Sequence, residues 1–268
     1  RLAVPTAIAA GCDIFLFNKD LDEDIRFMKE GIANGILTPE RIDEAVTRIL
    51  AMKAALHLPE KQTEARLVPP KEDLAVLKGE KHVEWAKQAA DNGITLVKDT
   101  ADNLPLRPEA TPRLLLQVIG PYEEANTQIT STVIPLLEKE GFQVTLYQPE
   151  DFTTGFESVS QFRSKYDAVL YLANVENRSN ATTTRINWYT FFGQGNNIPW
   201  FVDEVPTVFA SLGNPYHLMD VPMVKTYINT YDNHQAVIEA LVAKILGKSD
   251  FKGVSPIDPY CGLMDARR

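Results

Sequence analysis

The stretch richest in groups able to do chemistry is Asn174-Val-Glu-Asn-Arg-Ser-Asn-Ala-Thr-Thr-Thr-Arg-Ile-Asn-Trp188. It offers one carboxylate, Glu176, beside amide and guanidinium donors at Asn177, Arg178, Asn180 and Arg185. Such donors can bind the hydroxyl or acyl oxygens of a ligand. The competing reading is a solvated loop in which Arg185 packs against Trp188, because loops carry polar residues for solvation and turn-making alone. A second group, Asn18-Lys19-Asp20, follows the apolar run Ile14-Phe15-Leu16-Phe17; its plainer role is helix initiation, with Asp20 or Asp22 near an N-terminus. Asp203-Glu204 looks like a carboxylate pair, yet neighbours on an extended chain point to opposite faces, which defeats shared chemistry. His57, His82, His217 and His234 fall in a linker, a helix, a turn and a helix start, without the spacing of a metal pair. No glycine-rich fingerprint follows a strand and no phosphate loop is present, so neither nucleotide nor metal cofactor is expected.

The elements that must carry these groups are read from periodicity. Ile14–Phe17 has the pattern of a strand buried on both faces. A helical pattern with Ala3, Val4, Ala7 and Ile8 on one side precedes it. Leu21, Ile25, Met28 and Ile32 mark a second helix, which Gly35 would end. Thr38-Pro39 is an N-cap and first-turn proline for a third, whose apolar stripe is Ile42, Ala45, Val46, Ile49, Leu50 and Met52. Residues 57–70 read as an exposed linker closed by two prolines. A helix over 72–92 and a strand over 94–97 follow, and a proline-rich loop runs to 112.

From there, strands are predicted over 114–119, 142–147, 168–173, 207–212 and 225–230. Helices are predicted over 128–140, 159–166 and 235–246, with a short segment at 186–192 between them whose pattern is ambiguous and admits a helix. Strands alternating with helices of about a dozen residues imply a mainly parallel sheet covered on both faces. Gly213-Asn214-Pro215 is a turn that a regular strand cannot make.

Composition narrows the function. The 268 residues carry a net charge of −9 and no basic stripe, which argues against a nucleic-acid partner. No run approaches the ~20 apolar residues of a membrane helix. Two cysteines, Cys12 and Cys261, are too few for a disulfide framework or zinc site, and Cys12 is expected to be a small buried residue. The chain opens on Arg1 within a helix–strand–helix pattern, as the tail of something larger would; compartment is not legible from such a start.

Four segments together carry a resemblance. Ala7-Ile-Ala-Ala-Gly-Cys-Asp-Ile-Phe-Leu-Phe17 with Arg41-Ile-Asp-Glu-Ala-Val-Thr-Arg-Ile-Leu50 resembles the end of the barrel of family 3 glycoside hydrolases. Ala89-Ala-Asp-Asn-Gly-Ile-Thr-Leu-Val-Lys98 with Leu104-Pro-Leu106 is similar to the start of that family's second domain, and Gly213-Asn-Pro-Tyr216 to one of its turns. Gly247 to Gly262 resembles the family's two-domain bacterial β-N-acetylglucosaminidases.

The resemblance implies an α/β fold: a three-layer α/β sandwich, preceded by the last strand and helices of a truncated (β/α)8 barrel. It implies a barrel remnant over 1–56, a linker with a leading helix and strand over 57–112, and the sandwich over 113–268. It also implies a carbohydrate substrate, retention through a covalent glycosyl–enzyme intermediate, no cofactor, and a role such as cell-wall recycling. Retaining glycosidases set two carboxyl groups ~5 Å apart. The family's aspartate nucleophile would lie upstream of Arg1, on the missing barrel. Its glucosidases usually carry an acid/base glutamate in a Glu-Gly-x-Asp-Arg type motif; here Glu176 is present without the Gly or the Asp-Arg pair. The N-acetylglucosaminidase branch uses a histidine–aspartate dyad on a barrel loop, also upstream. The implied chain therefore has no catalytic residue, with Asn177 and Arg185 as its substrate-binding candidates. The alternatives are a non-catalytic sugar- or partner-binding domain and a glucosidase with Glu176 as acid/base.

Overall fold

The computed structural model describes residues 2–148, 158–178, 184–188, 190–191, 194–195 and 197–267. The chain divides into two compact units, Arg1–Leu77 and Lys78–Arg268.

The first unit is helical. Helix α1 (Ala3–Ala9) packs on α2 (Leu21–Ala33) at Gly31, where a Cβ would stand 2.5 Å from Pro5 Cβ, so only glycine permits the approach. The predicted caps form: Asp20 accepts from the Glu23 amide at 3.0 Å, and Thr38 from the Arg41 amide at 3.3 Å at the start of α3 (Pro39–Ala55). Asp20 thus has the plainer of its two expected roles. Arg41 ties the unit together, donating to the Ile8 carbonyl at 3.0 Å and pairing with Asp13 at 2.6 Å.

Three expectations for this unit are corrected. Ile14–Phe17 forms no strand and is exposed, because none of the described residues pairs with it and a lone strand leaves its backbone groups unsatisfied. Cys12 is likewise exposed. Within the stripe of α3, Ala45 is buried but Val46, Leu50 and Met52 are not. The linker contains a short helix, α4 (Leu58–Thr63), though it stays solvent-facing.

The second unit begins with α5 (Glu80–Gly93) and strand β1 (Thr95–Asp99). Then come β2 (Arg113–Ile119), α6 (Glu123–Lys139), β3 (Gln143–Leu146), α7 (Val159–Lys165) and β4 (Ala168–Asn174). A two-residue pair, β5 (Thr190–Phe191) with β6 (Gln194–Gly195), begins within the 186–192 segment whose pattern is ambiguous. The unit continues with β7 (Thr207–Leu212), β8 (Thr226–Asn229) and α8 (Gln235–Ile245). The main sheet has the order β1-β8-β7-β4-β2-β3; every pairing is parallel except that of β1 with β8.

Side-chain alternation divides the core between the two faces of this sheet. Leu114, Leu116, Leu170, Leu172, Val208, Ala210 and Ile228 pack on one face with α5, α6 and α8. Leu115, Val169, Tyr171, Phe209 and Tyr227 pack on the other with Phe162 of α7. Tyr171, Phe209 and Tyr227 stack across three neighbouring strands, with ring centroids 5.5 and 5.7 Å apart. Burial pushes the Tyr171 phenol well above its ordinary range; its hydroxyl donates to the Asn197 carbonyl at 3.0 Å.

Candidate functional site

In chain order the five parallel strands run second, first, third, fourth, fifth across the sheet, so the winding reverses between β2 and β4. Open α/β sheets bind ligands beyond the carboxyl ends of strands at such a reversal. Gly120 and Asn174 end the two strands there. A Cβ on Gly120 would stand 2.6 Å from both Asn126 Oδ1 and the Asn174 carbonyl, so the two strand ends close only over a glycine. Buried Asn174 donates to Asn126 Oδ1 at 3.1 Å and accepts from Asn233 Nδ2 at 2.9 Å. These amides join the β2, β4 and β8 loops in one network.

Glu176 sits on top of it. Asn233 Nδ2 donates to one carboxylate oxygen, and Arg178 lies 3.6 Å from the other. The Arg178 guanidinium covers the Tyr122 ring at 3.8 Å. Glu176 therefore accepts a hydrogen bond from Asn233 on one oxygen and is ion-paired with Arg178 through the other. Asn177, beside it, is exposed. Asn180, a further expected donor, lies outside the described residues.

Arg185 is engaged in a way its sequence did not suggest: it pairs with Asp220 at 2.5 Å. Asp220 Oδ2 also accepts from the Ile186 amide at 3.3 Å. Next to this pair, His217 is fully enclosed between Ser211 Oγ (2.6 Å) and the Thr184 carbonyl (2.8 Å). Burial drives the His217 imidazole below its ordinary value of 6.5, partly offset by the Thr184 carbonyl. Ser211 and His217 have the separation of a nucleophile–base pair, but neither reaches solvent, so no substrate can meet them.

At the β8 end of the rim, His234 Nδ1 meets Asp232 Oδ1 at 2.5 Å, which raises the imidazole above 6.5. Asp232 is itself lowered: burial opposes this, but His234 and the Asn233 and His234 amides outweigh it. A hollow of about 430 Å³ opens beside His234 between α6 and α8. Gln128, Ser131, Thr132, Asn233 and Gln235 line it, with Ala125, Ile129 and Ile238 as apolar surface. Among the described residues no group of three or more His, Cys, Asp or Glu could hold a metal ion, and no helix is long and apolar enough to cross a membrane.

Asn233, Asp220 and His217 were missed in the sequence. The Gly213-Asn214-Pro215 turn was the available signal, but nothing in its residues indicates which side chains it brings together.

A doubly wound α/β sandwich whose polar loops gather over the carboxyl edge of its sheet is a ligand-binding class of fold. The comparisons narrow that class. The chain is 43% identical over 269 residues to a Cellulomonas fimi protein named β-N-acetylglucosaminidase/β-glucosidase, matching 98% of the chain and 47% of that relative. It is 41% identical to a solved β-glucoside phosphorylase, BglX, with a TM-score of 0.76, covering 99% of this chain and 47% of that one. The family 3 β-N-acetylglucosaminidase of Paenibacillus sp. str. FPU-7 shares the fold at 18% identity, with a TM-score of 0.56 over 94% of this chain and 46% of that one. No family model matches. In sequence the chain is thus similar to the Cellulomonas fimi protein and to BglX, and in fold to an enzyme of glycoside hydrolase family 3. It spans about half the length of these relatives.

Proposed function

We propose that this chain is the C-terminal part of a retaining β-N-acetylglucosaminidase acting on terminal N-acetylglucosamine of cell-wall or related glycans. The single observation that carries the reading is the 43% identity across almost the whole chain to the Cellulomonas fimi protein whose name gives that activity together with β-glucosidase. The catalytic nucleophile and acid/base belong, in this reading, to a barrel half of the parent protein, to which residues 1–56 contribute a last strand and helices. The exposed apolar run Ile14–Phe17 supports it, since such a run is stable as a strand only with partners on both sides. The sandwich loops then face the sugar, with Asn177 as a donor and Arg185 holding the loop through Asp220.

Glu176 does not serve as acid/base in this reading. It lacks the Gly and Asp-Arg of the family motif, and its carboxylate is taken up by Asn233 and Arg178. The test is turnover of aryl N-acetylglucosaminide and aryl glucoside by this chain and by a form of its relatives' full length. The longer form turns over the N-acetylglucosaminide and the chain alone does not; activity of the chain alone sinks the proposal.

A second reading has a specific observation behind it. The likeness to a β-glucoside phosphorylase favours a parent in which inorganic phosphate, in place of water, takes the glycosyl group. Sugar 1-phosphate formed on adding phosphate to the longer form would identify it. A non-catalytic sugar-binding role remains the outcome if saturable binding occurs without turnover in either form.

A further inference from the structure

The turn after β7 grips both stems of the loop that leaves β4. At the near stem, Gly213 has φ +80°, and a Cβ there would stand 2.8 Å from Glu176 Cγ. At the far stem, the Thr184 carbonyl accepts from His217 Nε2 at 2.8 Å and from Asn214 Nδ2 at 3.3 Å. The Ile186 amide and the Arg185 guanidinium both end on Asp220, three residues past His217.

His217 is the centre of this arrangement. The Thr184 carbonyl can only accept, which places the proton of the neutral imidazole on Nε2, while the single Ser211 hydroxyl proton lies between two acceptors, His217 Nδ1 at 2.6 Å and the Asn214 carbonyl at 2.5 Å. The charged groups bearing on the ring are Asp220 and Arg185, which act in opposite senses, and burial disfavours the charged imidazole.

We infer that His217 is a positioning residue: through its Nε2 proton it fixes the far stem of the β4 loop, and with it the placement of Arg185. The value of that placement for sugar binding rests on the function proposed above, but the positioning itself does not.

The experiment compares two substitutions by amide hydrogen exchange on the ligand-free chain. Glutamine extends its amide toward the place of Nε2, whereas asparagine reaches only toward Nδ1. Both remove the ring from the core, so a packing role alone would affect them alike. His217→Asn is expected to raise exchange at Ile186 by about tenfold or more relative to the amides of β4, while His217→Gln stays within about threefold of the parent chain. Equal acceleration in both, or none in His217→Asn, overturns the inference. Should His217→Asn fail to fold, His217→Leu takes its place; it fills the core without any donor and must also accelerate Ile186, and unchanged exchange overturns the inference equally. Because no substrate is present, failure here leaves the glycosidase proposal standing, and an inactive longer form leaves this one standing.

Discussion

Lys244 Nζ, on a side chain with no solvent exposure, lies 3.0 Å from Asp91 Oδ1 and pins the last helix of the sandwich to its first. The ammonium also donates to the Asp250 carbonyl at 2.6 Å and to Ser249 Oγ at 3.2 Å. Ser249, then Lys244 and Lys252, hold the Asp91 carboxyl far below the usual carboxylate range. Removing the acid strands a buried cation, which costs more than the pair contributes. Asp91→Ala is expected to lower unfolding free energy by roughly 2 kcal/mol, below the ~3–5 of a fully enclosed pair because Asp91 is a third exposed and Lys244 keeps two other acceptors. Lys244→Met, which removes the charge and keeps the volume, is expected to cost less. Urea denaturation of the two variants checks the order.

Lys98 supplies a prediction at alkaline pH. Its ammonium donates to the carbonyls of Ala266 at 2.7 Å and Pro222 at 3.2 Å, joining the C-terminal segment to β1. Burial, with repulsion from Lys225, brings its pKa down to about 8 from 10.5. Between those values the unfolded chain binds the proton and the folded chain does not, so this group's contribution rises with pH across that window and is lost as pH falls through about 8. The difference in urea midpoint between the parent chain and Lys98→Met should therefore shift toward the parent as pH climbs. A difference independent of pH would exclude it.

The two histidines of the candidate site titrate with opposite sign. His217 is depressed, so its contribution is complete above 6.5 and is lost as pH falls toward the folded value. His234 is raised by Asp232, so its contribution is present below 6.5 and is lost as pH rises through the folded value. His234 is largely exposed, which screens its share. Acidification from neutral pH is thus expected to destabilise the chain, and His217→Gln to reduce that slope while His234→Gln makes it slightly steeper. Thermal melts in one buffer series separate the two.

Gly213 carries a backbone prediction. Alanine there must adopt a positive φ and push Glu176 aside. Gly213→Ala should cost about 1–2 kcal/mol, and more if Glu176 cannot move. Gly93→Ala, in open space at ordinary φ, is the matched control and is expected to be neutral or slightly stabilising.

Glu176 decides between two enzymes. Glu176→Gln in a form of full relative length is expected to retain turnover within about threefold, as suits a carboxylate that anchors a loop; loss by ~10²-fold or more would mark it as the acid/base after all.

Much of the sandwich was legible because its signals are local. Leu114 to Ile119, Ala168 to Ala173 and Thr207 to Leu212 are runs whose burial on both faces shows in composition alone. Asp20, Thr38 and Gly35 act on their own neighbours within a few residues. The start of α6 was missed by five residues, since Glu123 and Glu124 show no apolar period and belong to the helix only through their first-turn position. Ile14–Phe17 misled for the converse reason: its pattern names a strand, but a strand exists only where another pairs with it. The Ile186 segment is ambiguous by pattern because the carboxylate that binds its backbone amide, Asp220, stands 34 residues on.

The sequence by itself determined the alternation of strands and helices, the division of the core into two faces and the resemblance to family 3 glycoside hydrolases, all of which depend on residue order and spacing. Tertiary structure alone decided that Arg185 ends on Asp220, that His217 reaches Thr184, and that Asn233 crosses from β8 to Glu176. Those partners stand 33 to 57 residues apart. They meet because parallel strands carry distant loops to one edge of the sheet, and spacing along the chain holds no record of such meetings.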